Sequence, residues 1–157
     1  MKTLVVYYSY SGNTKSIAKK VAEELNADLL ELEPIKAYSS DYDTVVQVGQ
    51  EEVNRDYKPE LKPFSISLND YEKIIIGSPT WWYKMASPVL TFLSENDLSG
   101  KVVVPFMTNA GWPGTVIKDM KNLCGNSKIE YEKEIKFTED KLITPEEEIN
   151  QWIEFLK

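Results

Sequence analysis

Apolar residues recur along this chain in two alternating rhythms. Leu4, Val5, Val6, Tyr7 and Tyr8 form one continuous run, too short for a globular helix and rich in strand formers, which predicts a buried strand. Ala18, Val21, Ala22 and Leu25 then recur three and four positions apart, the stripe of an amphipathic helix, with Thr14 or Asn13 placed to cap it. Leu29, Leu30 and Leu32 predict a second short strand over residues 28–33, ended by Pro34. Asp41 or Asp43 can cap a further helix through Val45, Val46, Val48 and Val53, which Gly49 weakens. Pro59 and Pro63 then mark a surface connection, with Phe64, Ile66 and Leu68 as its anchors.

Ile74, Ile75 and Ile76, within residues 73–77, predict a strand covered on both faces, the central one. A loop over residues 78–86 follows, then a helix with Ser87 as cap and Pro88 as first residue, carrying Val89, Phe92 and Leu93 and stopping near Asn96. Val102, Val103, Val104 and Phe106 predict the next strand, with Pro105 best placed near its end. After a loop over residues 108–114, Val116, Ile117, Met120 and Leu123 mark a helix closed by Gly125 and Asn126. Residues 128–137 alternate Ile129, Tyr131, Ile135 and Phe137 with charges, as an edge strand does. Thr144 as cap, Pro145 as first residue and Glu147 completing a capping box open the last helix, whose stripe is Ile149, Trp152, Ile153 and Leu156. Strands thus alternate with helices five times, which makes a parallel sheet with helices on both faces the economical α/β fold. In such sheets a ligand sits beyond the carboxyl ends of the strands, and the loops after strands one, three and four fall on that edge.

Composition narrows the chemistry. A chain of 157 residues with 42% apolar content suits a single domain spanning residues 1–157. No apolar run reaches transmembrane length and no signal-peptide pattern precedes the first strand, so no membrane insertion and a cytoplasmic location are expected. The absence of histidine removes the usual general base and the commonest metal ligand, and no catalytic or metal-binding residue is assigned. The single cysteine, Cys124, excludes an intrachain disulfide and reads as a buried small residue near a helix end. Reactivity must therefore come from a bound cofactor. A net charge of −7 disfavours nucleic acid and suits steering toward a positively charged partner.

The first loop, Ser9, Tyr10, Ser11, Gly12, Asn13 and Thr14, concentrates three hydroxyls and a glycine between a strand and a helix. There the first helical turn presents unpaired N–H groups and the positive end of its dipole, an uncharged site for a phosphate dianion. It lacks the Gly-Lys-Ser/Thr ending of a Walker loop and the glycine spacing of a dinucleotide fingerprint, which favours a mononucleotide over ATP or NAD. Three of the four tryptophans, Trp81, Trp82 and Trp112, fall in the other two loops, where flat faces can stack on a planar ring.

Taken together, these residues resemble the flavodoxin family, whose signature after the first strand is hydroxyl, any residue, hydroxyl, glycine, any residue, hydroxyl. The resemblance covers the whole chain in the short form, and implies a flavodoxin-like three-layer sandwich with a five-stranded parallel sheet in the order 2-1-3-4-5. It implies noncovalent FMN, with the phosphate on the loop from Ser9 through Tyr10, Ser11, Gly12, Asn13 and Thr14. Pro79, Thr80, Trp81, Trp82 and Tyr83 on one side and Thr108, Asn109, Ala110, Gly111 and Trp112 on the other would flank the ring. The implied function is electron transfer between redox protein partners, a reductase and an acceptor, docking through their basic surfaces. The segment Gly77, Ser78, Pro79, Thr80 also resembles FMN-dependent quinone reductases, so the alternative is an NAD(P)H-dependent quinone or flavin reductase. A receiver-type module is disfavoured, because the positions of its acidic cluster and phosphorylated Asp hold Tyr8, Ser9, Gly77 and Ser78.

Overall fold

The first apolar run is buried in the computed structural model, which describes residues 2–157. β1 (Thr3–Tyr7) occupies the middle of a sheet, with Leu4, Val5 and Val6 fully buried. α1 (Asn13–Leu25) returns the chain to β2 (Asp28–Glu31), which pairs with β1 in parallel. α2 (Tyr42–Asn54) starts at Asp41, whose carboxylate accepts the Thr44 N–H at 3.1 Å. β3 (Lys73–Trp81) pairs with the other side of β1, then turns back on itself as β4 (Lys84–Met85). α3 (Ser87–Glu95) leads to β5 (Val102–Asn109), parallel to β3, and α4 (Val116–Leu123) leads to β6 (Lys128–Ile129) and β7 (Lys133–Thr138), both parallel to β5. β8 (Lys141–Leu142) folds back on β7, and α5 (Glu146–Leu156) closes the chain.

The principal strands therefore stand in the order β2-β1-β3-β5-β7, the expected arrangement, and the short β4, β6 and β8 bring the sheet to eight strands. Alternation along each strand divides the interior into two cores. Val5, Tyr7, Ile75, Val104 and Phe106 face α1 and α5, meeting Ile17, Val21, Ile149, Trp152 and Ile153. Leu4, Val6, Ile74, Ile76, Val103 and Met107 face α3 and α4, meeting Val89, Phe92, Val116 and Met120. Each fully buried Ile, Phe or Leu contributes about 1.5–3 kcal/mol, so the sheet forms a rigid base from which the loops project. The connection after Pro59 is anchored as expected, with Phe64, Ile66 and Leu68 packed against the second core. Cys124 is buried at the carboxyl end of α4.

Several local expectations are corrected. The residue preceding α1 is Gly12 at φ 102°, a conformation suited to glycine, and neither Asn13 nor Thr14 caps the helix. β2 stops at Glu31, and residues 130–132 split the edge strand into β6 and β7. Pro105 lies inside β5 rather than near its end, opposite Ile76 and in the gap between the segments paired to β6 and β7, where a missing N–H is tolerated. Ala86 precedes α3, so Ser87 is its first residue and Pro88 its second. Thr144 does not cap α5: its hydroxyl accepts the Lys136 N–H at 2.7 Å, and Pro145 precedes the helix without a side-chain cap. The predicted loop over residues 78–86 is instead the end of β3, a two-residue turn and β4.

Candidate functional site

The carboxyl ends of β1, β3 and β5 open onto one cleft of about 960 Å³, within the roughly 300–1,000 Å³ span of cofactor sites. Ser11 and Trp112 line the same cleft, as do Tyr10, Asn13, Thr80, Trp81, Trp82 and Tyr83. Pro79, Thr108, Asn109 and Ala110 complete the part of its wall that sequence identifies. Ser9, Gly12, Thr14 and Gly111 are not part of the lining, Thr14 being buried and Gly12 and Gly111 exposed. The Gly12 N–H donates to Ser9 Oγ at 3.1 Å, and the Gly111 N–H donates to Asn109 Oδ1 at 2.8 Å, so both loops are braced internally.

At one end the cleft meets the start of α1. The first helical hydrogen bond runs from the Ser16 N–H to the Gly12 carbonyl at 3.0 Å, leaving the N–H groups of Asn13, Thr14 and Lys15 without a helical acceptor. The Lys15 ammonium is drawn toward Glu31 at 3.8 Å, so the donors at this end are neutral. No Lys or Arg lines the cleft among the described residues. Asn13 Nδ2 donates to the Glu139 carbonyl at 2.7 Å, which ties the first loop to the β7–β8 turn.

The other end is aromatic. Trp81 stands edge-on to Tyr8 and Tyr38, with ring centroids 5.7 and 5.1 Å away, and the three rings form one cluster behind the cleft. Burial pushes the Tyr8 hydroxyl well above its ordinary range, with the neighbouring Tyr10, Glu52 and Glu31 adding to it. Tyr38 is raised by burial first and then by donating to Glu52 Oε1 at 2.6 Å, so both phenols stay neutral and the cluster apolar. Trp82 and Tyr83 form the turn of the β3–β4 hairpin at φ 50° and 68°, as tight two-residue hairpin turns require. Trp82 Nε1 donates to the Val46 carbonyl at 3.0 Å, which pins the turn to α2. Tyr83 and Trp112 are 55% and 68% exposed, so their ring faces are open to a planar partner. Tyr10 lines the cleft and donates its hydroxyl to the Ser39 carbonyl at 2.7 Å.

Two walls of the cleft come from elements outside the three loops expected from sequence. α2 contributes Tyr42, Val45, Val46 and Gly49, and the β7–β8 turn contributes Phe137, Glu139 and Asp140. Gly49 packs against the Trp81 ring, but an added Cβ would meet it at ordinary contact distance, so no residue pattern marks the first wall. None marks the second either, which depends on how β7 folds back.

Comparison with known proteins agrees with this architecture. The family pattern described as Flavodoxin matches residues 2–156. A protein of Archaeoglobus fulgidus named NAD(P)H dehydrogenase (quinone) is 29% identical over 119 residues, covering 69% of this chain and 61% of that protein. One of the same name from Gluconacetobacter diazotrophicus is 29% identical over 121 residues, covering 69% and 57%. The chain thus spans about three fifths of the length of the curated relatives it matches. Among solved structures, a chain described as a flavoprotein from Bacteroides uniformis superposes with a TM-score of 0.81 at 28% identity, covering 98% of this chain and 97% of that one. A flavoprotein from Lactobacillus acidophilus, in complex with FMN, superposes with a TM-score of 0.72 at 25% identity, covering 96% and 97%. No helix among the described residues is long and apolar enough to cross a membrane.

Proposed function

The chain belongs to the flavodoxin family, and from that premise we propose that it binds FMN noncovalently in the cleft and passes electrons between protein partners. The observation that carries this reading is the pairing of chemistries in one cleft: neutral N–H and hydroxyl donors at the start of α1, and aromatic faces on the β3–β4 turn and at Trp112. Flavin supplies the electron chemistry when bound, accepting and releasing one or two electrons.

The residues of the chain then have separable tasks. Ser11, Asn13 and the first-turn N–H groups of α1 hold the phosphate, where the helix dipole favours negative charge. Trp81, Trp82, Tyr83 and Trp112 flank the ring and exclude water from it. Thr80, Asn109 and Ala110 line the same cleft. The Glu139 and Asp140 carboxylates, with a net charge of −7 around them, disfavour added negative charge on the ring and lower its potential. The same charge steers docking toward basic surfaces of a reductase and an acceptor.

The exposed faces of Tyr83 and Trp112 favour one second reading, an NAD(P)H-dependent quinone or flavin reductase, the activity for which the curated relatives are named. The two readings separate in one experiment on the FMN-loaded protein. A carrier exchanges electrons rapidly with a flavodoxin reductase and does not turn over NADPH with a quinone by itself. Steady turnover of NADPH and quinone by the purified protein alone overturns the carrier reading in favour of the reductase.

A further inference from the structure

The Thr14 and Thr108 hydroxyls lie 2.8 Å apart, joining the first turn of α1 to the carboxyl end of β5. Both side chains are buried, at 1% and 5% exposure. A hydroxyl carries one proton and two acceptor lone pairs, so a bond between two hydroxyls uses one proton and leaves the other to be placed. Among the described residues, neither Oγ1 has a second side-chain partner, and either can act as donor. The Thr108 carbonyl is itself engaged, accepting the Thr80 hydroxyl at 2.9 Å, which holds this stretch of β5 in position.

We infer that Thr108 is a positioning residue for the anion end of the cleft: it donates to Thr14, freeing the Thr14 proton for a phosphate at the start of α1. A threonine in a helix ordinarily turns its hydroxyl toward a carbonyl three or four residues back. Here Thr108 holds it across the loop instead. A dianion beside the helix start breaks the symmetry of the pair, because only the direction Thr108 to Thr14 to anion lets every proton meet an acceptor. Successive hydroxyls aligned in this way polarise one another, and the last bond in the chain is charge-assisted. Thr108 therefore acts on the phosphate through Thr14. This assignment rests on the FMN reading above.

The test compares FMN with riboflavin, which differs by the phosphate alone, in titrations of the apoprotein followed by flavin fluorescence. Thr108→Val keeps the shape and removes the hydroxyl, and is expected to lower the preference for FMN over riboflavin roughly tenfold, the loss of one charge-assisted bond. Thr108→Ser restores the preference for FMN. Should the valine variant fail to fold, Thr108→Cys, with its weak S–H donor, carries the same comparison and is expected to lose most of the preference. Wild type preferring FMN while these variants keep the whole preference, or lose both ligands equally, overturns the relay and leaves the FMN reading standing. Wild type binding FMN no more tightly than riboflavin overturns the phosphate site and the relay with it.

Discussion

Gly114 sits directly against the backbone of Tyr83. Its φ is 56°, and a Cβ built there would fall 2.1 Å from the Tyr83 carbonyl oxygen, which also accepts the Thr115 N–H at 2.9 Å. The turn that carries Trp82 and Tyr83 is thereby clamped to the loop that carries Trp112, and the separation of the two aromatic walls is set by backbone atoms rather than by mobile side chains.

Gly114→Ala is expected to break that clamp. The backbone clash and the positive φ together cost about 2–3 kcal/mol, by analogy with other strained positions. Urea denaturation reads the stability, and an FMN titration reads the displaced wall. An unchanged midpoint with unchanged affinity would show that the turn and the third loop move independently.

Tyr83 gives the opposite expectation for stability. It holds φ 68° with a bulky side chain that is more than half exposed, so little packing offsets the strain. Tyr83→Gly should raise stability by about 0.5–1 kcal/mol, the left-handed cost less the added freedom of the unfolded chain. The same variant should bind FMN more weakly, because one open ring face is gone. Gain of stability with loss of affinity is the signature of strain kept at a binding site.

Gly49 lies in α2, where glycine is unfavourable, and the Trp81 ring would meet an added Cβ at 3.4 to 3.9 Å, ordinary contact distance. Gly49→Ala should therefore stabilise the protein by about 0.5–1 kcal/mol through helix propensity. Gly49→Leu should instead push Trp81 out of its cluster with Tyr8 and Tyr38, seen as a shift in tryptophan emission.

Alkaline pH should weaken the fold in a defined way. The Tyr71 hydroxyl donates to Asp28 Oδ2 at 2.5 Å, and chiefly through that bond, with burial behind it, its pKa is raised to about 12. An unfolded tyrosine titrates near pH 10, so between about pH 10 and 12 the folded chain holds a proton that the unfolded chain has released. The contribution is complete below pH 10 and lost as pH rises to 12. Tyr7, Tyr8 and Tyr38 are shifted the same way by burial, with Glu31 or Glu52 adding, which prolongs the decline. Denaturant midpoints at pH 8 and pH 11 should differ, and Tyr71→Phe should narrow the difference.

Much of this arrangement is legible in the residues. The runs at Leu4, Ile74 and Val102 are continuously apolar because both sheet faces are covered, and that places three loops on one edge. The caps are less legible. Asp41 does what its type predicts, whereas Thr14 and Thr144 are taken by partners 94 and 8 residues away, Thr108 and Lys136. In both cases a hydrogen bond to a neighbouring strand outcompetes the local cap. The hairpin at Trp82 and Tyr83 is hidden for a related reason: a turn at positive φ is signalled by Asn or Gly, and here two aromatics occupy it. The walls from α2 and the β7–β8 turn depend on long-range packing, which no local pattern records.

Whether one cleft holds a phosphate and a tricyclic ring together is decided by titrating the apoprotein into FMN while following flavin fluorescence. Quenching that saturates at one FMN per chain, together with quenched tryptophan emission, is the predicted result. Flavin emission undiminished with protein in excess would contradict it.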